Sequence, residues 1–300
     1  MPDRDAPARG SPKIQSFEEQ RSATAGPLAE LAEVDAPPAI KAIYADIKRL
    51  TGVPMVALIF RHLATRPGAL EDAWRVLSPA FVSGRIQSVA WWLAEDAECG
   101  PIVPALAPAT RLALGIDAAG EAAVSMTLDA YNRANPVNML AMLSLMERHR
   151  LGAAPARPLA SEAAMWSAPA PITGPLPRMT PVGEIAPDLR HLINDLGFGD
   201  RSELDSVVPS LYRHFTPWPA LLGLLHATAG PAFRDGSLAF KVETLHDQMR
   251  AKAAEIAPTL APLEHGDGIA AALPTLRRFT SSVIPQMVLV GFALKTALAG

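Results

Sequence analysis

The chain has 300 residues, 49% of them hydrophobic and 19% charged, so it carries enough apolar mass for a packed core and is not a disordered polymer. Its 27 Lys and Arg against 30 Asp and Glu leave a formal charge of -3, which gives no attraction to a polyanion and argues against nucleic acid as a partner. The single cysteine, Cys99, excludes an internal disulfide, a Cys-x-x-Cys redox pair and a thiolate metal cluster, and fits a reducing, cytoplasmic setting.

Residues 1–36 read as an N-terminal tail: the opening MPDRDAPARGSPKIQSFEEQ mixes acids, bases, Pro and Gly and has no apolar segment of a secretory signal. Beyond it, few stretches alternate apolar and polar with period two and only 6% of residues are aromatic, so the expected fold class is all-α. Many of the 29 prolines stand where a helix should begin; Pro37, Pro54, Pro67, Pro136, Pro187 and Pro219 each precede a run with apolar spacing of three and four. A helix over 36–52 places Ile40, Ile43, Ile47 and Leu50 on one stripe and stops at Gly52. A second is expected over 53–65, with Val53, Val56, Phe60 and Leu63 inward, and others near 67–82, 85–98, 118–131 and 136–149. Residues 153–182 are Pro/Ala-rich and aperiodic, as a linker would be. The apolar run from Val283 to Leu298 is broken by Pro285, Gln286 and Lys295 and is shorter than the ~20 residues a bilayer requires, so it reads as a buried helix with no membrane partner.

The two sides of the linker resemble each other. Pro67 leads to Pro79-Ala80-Phe81-Val82-Ser83-Gly84, and Pro219 leads to Pro231-Ala232-Phe233-Arg234-Asp235-Gly236, both at an ungapped offset of 152. Val53-Pro54 matches Val208-Pro209 upstream, with the second helix three residues shorter, which sets Leu211 against Val56. The expected architecture is therefore a pseudo-dimer: repeats at 37–152 and 183–300, joined by the linker, with a cavity between them.

No Gly-x-Gly-x-x-Gly, Gly-Lys-Ser/Thr or Gly-x-Ser-x-Gly motif is present, which removes support for nucleotide binding and for a serine hydrolase of that type. Glu243-x-x-His246-Asp247 has di-iron spacing but lacks a second copy, and reads as a solvated helix face; no metal is expected. Asn135, before Pro136, either caps the next helix or points its amide into the cavity to position water or a substrate oxygen. In the helix beginning at Pro209, His214 is either a surface histidine or a desolvated base, with an acidic activity limb near pH 6 to 7 in the latter case. The free backbone amides where that helix starts favour a carboxylate.

Tyr44-x-Asp46-Ile47, Val53-Pro54-x-Val56-Ala57, Arg61-x-Leu63-Ala64-Thr65-x-Pro67 and Ala73-Trp74-Arg75 resemble the first repeat of the group I 2-haloacid dehalogenases; Tyr131-Asn132-x-x-Asn135-Pro136 and Trp218-Pro219 also match that family. The resemblance implies a cofactor-independent, all-helical pseudo-dimer that displaces halide from C2 of short 2-haloalkanoic acids by direct attack of water. It places Asn135 on the family asparagine that holds the water. The family's aspartate base falls at Leu211 when counted back from Trp218-Pro219, and at Tyr212 when counted forward from Pro209; neither is an acid, and Asp205 lies before the helix. His214 is then the candidate base. Met55 and Leu58 stand where the family has aromatic residues, and together with Ser210, Leu211 and Tyr212 they are the expected substrate contacts. The expected partner is a small-molecule carboxylic acid; a homodimer is left open. The alternative is a relative that has kept the fold and pocket but binds a small hydrophobic acid, or catalyses another reaction, without dehalogenation.

Overall fold

The structure, a computed structural model, describes residues 28–97, 102–157, 166–174, 176–196 and 208–300; Cys99 and Asp205 lie outside them. Among the described residues the regular structure is entirely helical. Helix α1 (Pro38–Thr51) starts on Pro38, buries Ile40, Tyr44, Ile47 and Leu50, and ends at Gly52, whose φ of 67° needs a residue without a Cβ. Helix α2 is shorter than its apolar spacing suggests. Only Leu58–Leu63 is helical, and residues 53–57, which contain Pro54, lead into it without helical structure. Next come α3 (Ala69–Val82), α4 (Arg85–Asp96) and α5 (Pro108–Ala113).

The runs expected near 118–131 and 136–149 form one helix, α6 (Ala118–Arg150), with Pro136 inside it. A proline within a helix costs roughly 3 kcal/mol, but every residue from Ala134 to Leu145 is buried. Packing on all sides holds the helix through the proline, so periodicity gave no sign of continuity there. After the linker follow α7 (Pro187–Asp195), α8 (Ser210–Phe215), α9 (Pro219–Arg234), α10 (Ser237–Ile256), α11 (Gly266–Arg278) and α12 (Ile284–Ala299). A single π-helical stretch, Phe279–Val283, joins α11 to α12 just ahead of Pro285, whose missing N–H and bulky ring disfavour an uninterrupted α-helix.

The order of elements recurs. Helices α2 and α8 are both six residues long and begin 152 positions apart. Gly84 and Gly236, at the same offset, precede α4 and α10 with φ of 72° and 82°. Because Ala57 and Pro209 are the corresponding helix starts, Leu211 falls opposite Ile59, and the expected pairing with Val56 is displaced by three residues. The cores do not respect the halves. One combines α1–α4 and the middle of α6 with Leu238 to Leu289; the other combines Val103, Leu106 and Val124 to Tyr131 with α7–α9 and the end of α12.

Helix α6 is central, packing on α4, α10, α11 and α12. The stretch Gly266–Ala299 is long and apolar enough to cross a membrane by length and composition alone, but 61% of its apolar window is buried inside the protein. It meets α6 closely at Gly291, where a Cβ would lie 2.1 Å from Asn132 Oδ1. Elsewhere, buried Asp72 on α3 accepts the backbone N–H groups of Glu264 (3.2 Å) and His265 (2.9 Å) and the guanidinium of Arg75 (2.6 Å), tying α3 to the start of α11. Burial alone would raise the Asp72 pKa, but these donors outweigh it and hold the carboxyl below the ordinary range. The arrangement explains why Asp72, Glu264 and His265 cluster: the carboxylate anchors a helix start.

Gly291→Ala tests the α6–α12 contact. Alanine ordinarily stabilises a helix interior relative to glycine by about 1 kcal/mol; here overpacking should reverse the sign and destabilise the protein by roughly 1–3 kcal/mol. Urea denaturation of the variant measures this.

Candidate functional site

A cavity of about 290 Å³ lies where the two halves and the linker meet. The first half contributes residues 54–59 and Arg61 around α2, with Tyr131, Ala134, Asn135 and Asn138 of α6. The second half contributes Pro209, Ser210, Leu211 and His214 around α8, with Phe279, Val283, Ile284 and Met287 beyond α11. Leu176 and Met179 of the linker complete the wall.

The non-helical lead into α2 is held from outside by the end of the tail. Glu33 Oε1 accepts the N–H of Val56 (3.1 Å), Glu30 pairs with Arg61 (2.6 Å), and Arg61 Nη1 donates to the Val56 carbonyl (2.7 Å). Residues 28–36, which read from sequence as part of an N-terminal tail, are thus joined to α2 and the segment before it. The linker is fastened in the same way. Arg133 Nη1 donates to the carbonyls of Gly52 (3.1 Å) and Ala170 (2.8 Å), and Arg213 Nε donates to that of Thr180 (2.9 Å).

Asn135 is 9% exposed, lines the cavity, and its buried Nδ2 has no hydrogen-bond partner in the protein. It sits in mid-helix, so the capping role is excluded. An orphan amide costs about 1–3 kcal/mol if nothing meets it, which makes it a donor awaiting a ligand or water. His214 is 5% exposed, and its Nδ1 donates to the Pro177 carbonyl at 2.8 Å, so neutral imidazole carries its lone pair on Nε2. Burial lowers its pKa to about 4; the Pro177 carbonyl opposes this, while the charges of Arg213 and Arg61 add to it. The limb near pH 6 to 7 expected for an ordinary imidazole is therefore displaced. The rings of His214 and Tyr131 meet edge to face with centroids 5.6 Å apart, and the Tyr131 and Ser210 hydroxyls hydrogen-bond to each other.

Of the expected site residues, Asn135, His214, Met55, Leu58, Ser210 and Leu211 share this cavity, and Tyr212 does not. Tyr212 is fully buried in the second core, to which Leu211 also belongs, and its hydroxyl is unpartnered. Helix α8 has only six residues, too short for the helix-start charge that a carboxylate site was expected to use. Arg61, Tyr131 and Asn138 were not assigned to the site from sequence. The signal was present: Tyr131, Ala134, Asn135 and Asn138 share one helical face, visible once α6 is read as continuous. Among the described residues that line the cavity there is no Asp or Glu.

Nine-tenths of the chain is similar in fold to solved structures. One is described as the complex structure of a D-2-haloacid dehalogenase mutant with D-2-CPA and another as that of D-2-haloacid dehalogenase with L-LA; each aligns at TM-score 0.65 and 18% identity, covering 91% of this chain and 94% of the other. A third, a mutant D-2-haloacid dehalogenase, aligns at TM-score 0.64 and 19% identity over the same shares. No protein-family model matches, and no curated protein matches. The chain thus has the all-α fold of the group I haloacid dehalogenases.

The His214 environment generates a pH prediction. Its folded pKa lies below the ordinary value of 6.5, so the unfolded chain takes up the proton first and stability is lost as pH falls from about 6.5 towards 4. This group alone should contribute a loss on the order of 3 kcal/mol across that window. Comparing urea denaturation of the parent and His214→Phe at pH 7 and pH 4.5 isolates it, and NMR titration of the His214 ring should give a midpoint near 4.

Proposed function

We propose that this chain is a 2-haloacid dehalogenase-like hydrolase built as a pseudo-dimer, in which water is activated in the inter-repeat cavity. The observation that carries the reading is the pairing, in one apolar cavity, of the unpartnered Asn135 amide with a neutral His214 whose lone pair is fixed on Nε2. Asn135 Nδ2 holds the water oxygen. Nε2 takes one water proton as the oxygen bonds to C2, and the carbon–halogen bond breaks with its electron pair leaving as halide. A base with a pKa of about 4 is weak, but it is unprotonated throughout the neutral range, as a carboxylate would be. The 2-haloacid dehalogenase activity of the similar structures supports the choice of substrate class.

Halide release from racemic 2-chloropropionate and 2-bromohexanoate, measured by ion chromatography, tests this. Activity should be flat from pH 5 to 8 and fall below about 4, and His214→Ala should lose it by 100-fold or more, the usual range for a general base being ~10²–10⁴. Unchanged turnover in that variant rejects His214 as the base.

A second reading, binding of a hydrophobic carboxylic acid without halide release, is favoured by the absence of an acid among the described lining residues. Leu211→Asp separates the two. Leu211 lines the cavity and is fully buried, so an aspartate there has its pKa raised by apolar surroundings and meets the same cavity as Asn135. Faster halide release than the parent is expected from Leu211→Asp, and none from Tyr212→Asp, which lies outside the cavity. A Leu211→Asp variant that folds and binds a 2-haloacid without releasing halide supports the binding reading.

A further inference from the structure

The size and the uneven chemistry of the cavity bear on how large its ligand is. At about 290 Å³ it has roughly twice the volume of the ~150 Å³ apolar cavity that accommodates benzene. A three-carbon haloacid has no more non-hydrogen atoms than benzene and would leave half of this space without contacts, forfeiting the dispersion energy of the facing walls. The lining is mixed. Phe279, Val283, Ile284 and Met287 bring only apolar side chains, whereas α6 and α8 also bring the polar groups of Asn135, Asn138, Ser210 and His214. Arg61, the one side chain with a permanent positive charge among the described lining residues, is already paired with Glu30, so the cavity offers neutral hydrogen-bond donors rather than a free charge.

We propose that the cavity is built for a carboxylic acid with a hydrocarbon chain of roughly eight to ten carbons, about twice the atoms of benzene, and not for a two- or three-carbon acid. The carboxylate lies towards the polar side chains Asn135, Asn138 and Ser210, where the buried Nδ2 of Asn135 is an unpartnered donor. The chain lies against Phe279, Val283, Ile284 and Met287. This deepens the reading of the cavity as an acid site and rests on it.

Isothermal titration calorimetry with unhalogenated straight-chain carboxylates, from propanoate to dodecanoate, tests the length. The dissociation constant should fall about three- to four-fold per added methylene, reach its minimum at eight to ten carbons and fall no further beyond. Val283→Phe, or Leu58→Phe should the first not fold, narrows the cavity and should move the optimum two or three carbons shorter. An optimum at propanoate, no binding by any acid of the series, or an optimum unmoved by both variants, as surface adsorption would give, overturns the proposal. Halide release from the matching 2-bromo acids is measured in parallel. Release from 2-bromopropionate with no length dependence of binding overturns the chain length and leaves the hydrolase standing; length-dependent binding without halide from any acid supports the chain length and overturns the hydrolase.

Discussion

The architecture depends on the seam between α6 and α12. Both helices are buried through most of their length, and they approach closely enough that a Cβ on Gly291 would collide with the Asn132 side chain as it stands. The seam keeps α6 helical through Pro136, and that continuity aims Tyr131, Asn135 and Asn138 at the same space. Had the helix broken at the proline, Asn135 Oδ1 would have been free to accept a backbone N–H as a cap. The mid-helix position of Asn135 on the cavity is therefore a product of global packing that overrides a local preference.

Around this seam the irregular segments do the positioning. The lead into α2 has no helical hydrogen bonds of its own before Leu58, and Glu30 and Glu33 supply partners from the chain that precedes α1. The Pro177 carbonyl sets the tautomer of His214 from the linker, and Leu176 and Met179 close the wall beside it. These contacts lie between residues far apart in sequence, yet together they decide which polar atoms in the cavity are already occupied and which remain free to meet a ligand.

Much of this was legible in the sequence, and the gaps have identifiable physical causes. Helix class, the starts next to Pro37 and at Pro187 and Pro219, and the recurrence of Pro-Ala-Phe before Gly84 and Gly236 follow from proline and glycine chemistry, which is local. The continuity of α6 was not legible, because a buried helix is apolar on all sides and shows no stripe across Pro136. Position on α8 set the limit of the site reading: Leu211 and Tyr212 are adjacent and both belong to the second core, and only tertiary packing decides that the first also borders the cavity while the second does not. The lowered His214 pKa was equally invisible, since it comes mainly from burial, which spacing does not reveal.

The sharing of each core between the halves has a bearing on how the chain is made. In synthesis from the N-terminus, α1–α4 and α6 emerge with their inner faces uncovered, because the residues that complete their core run from Leu238 to Leu289. A protein of independent repeats finishes its first unit while the second is still being translated. Here the first half has no finished interior until the last helix has left the ribosome, so nascent chains carry exposed leucine and phenylalanine surface throughout synthesis of the second half.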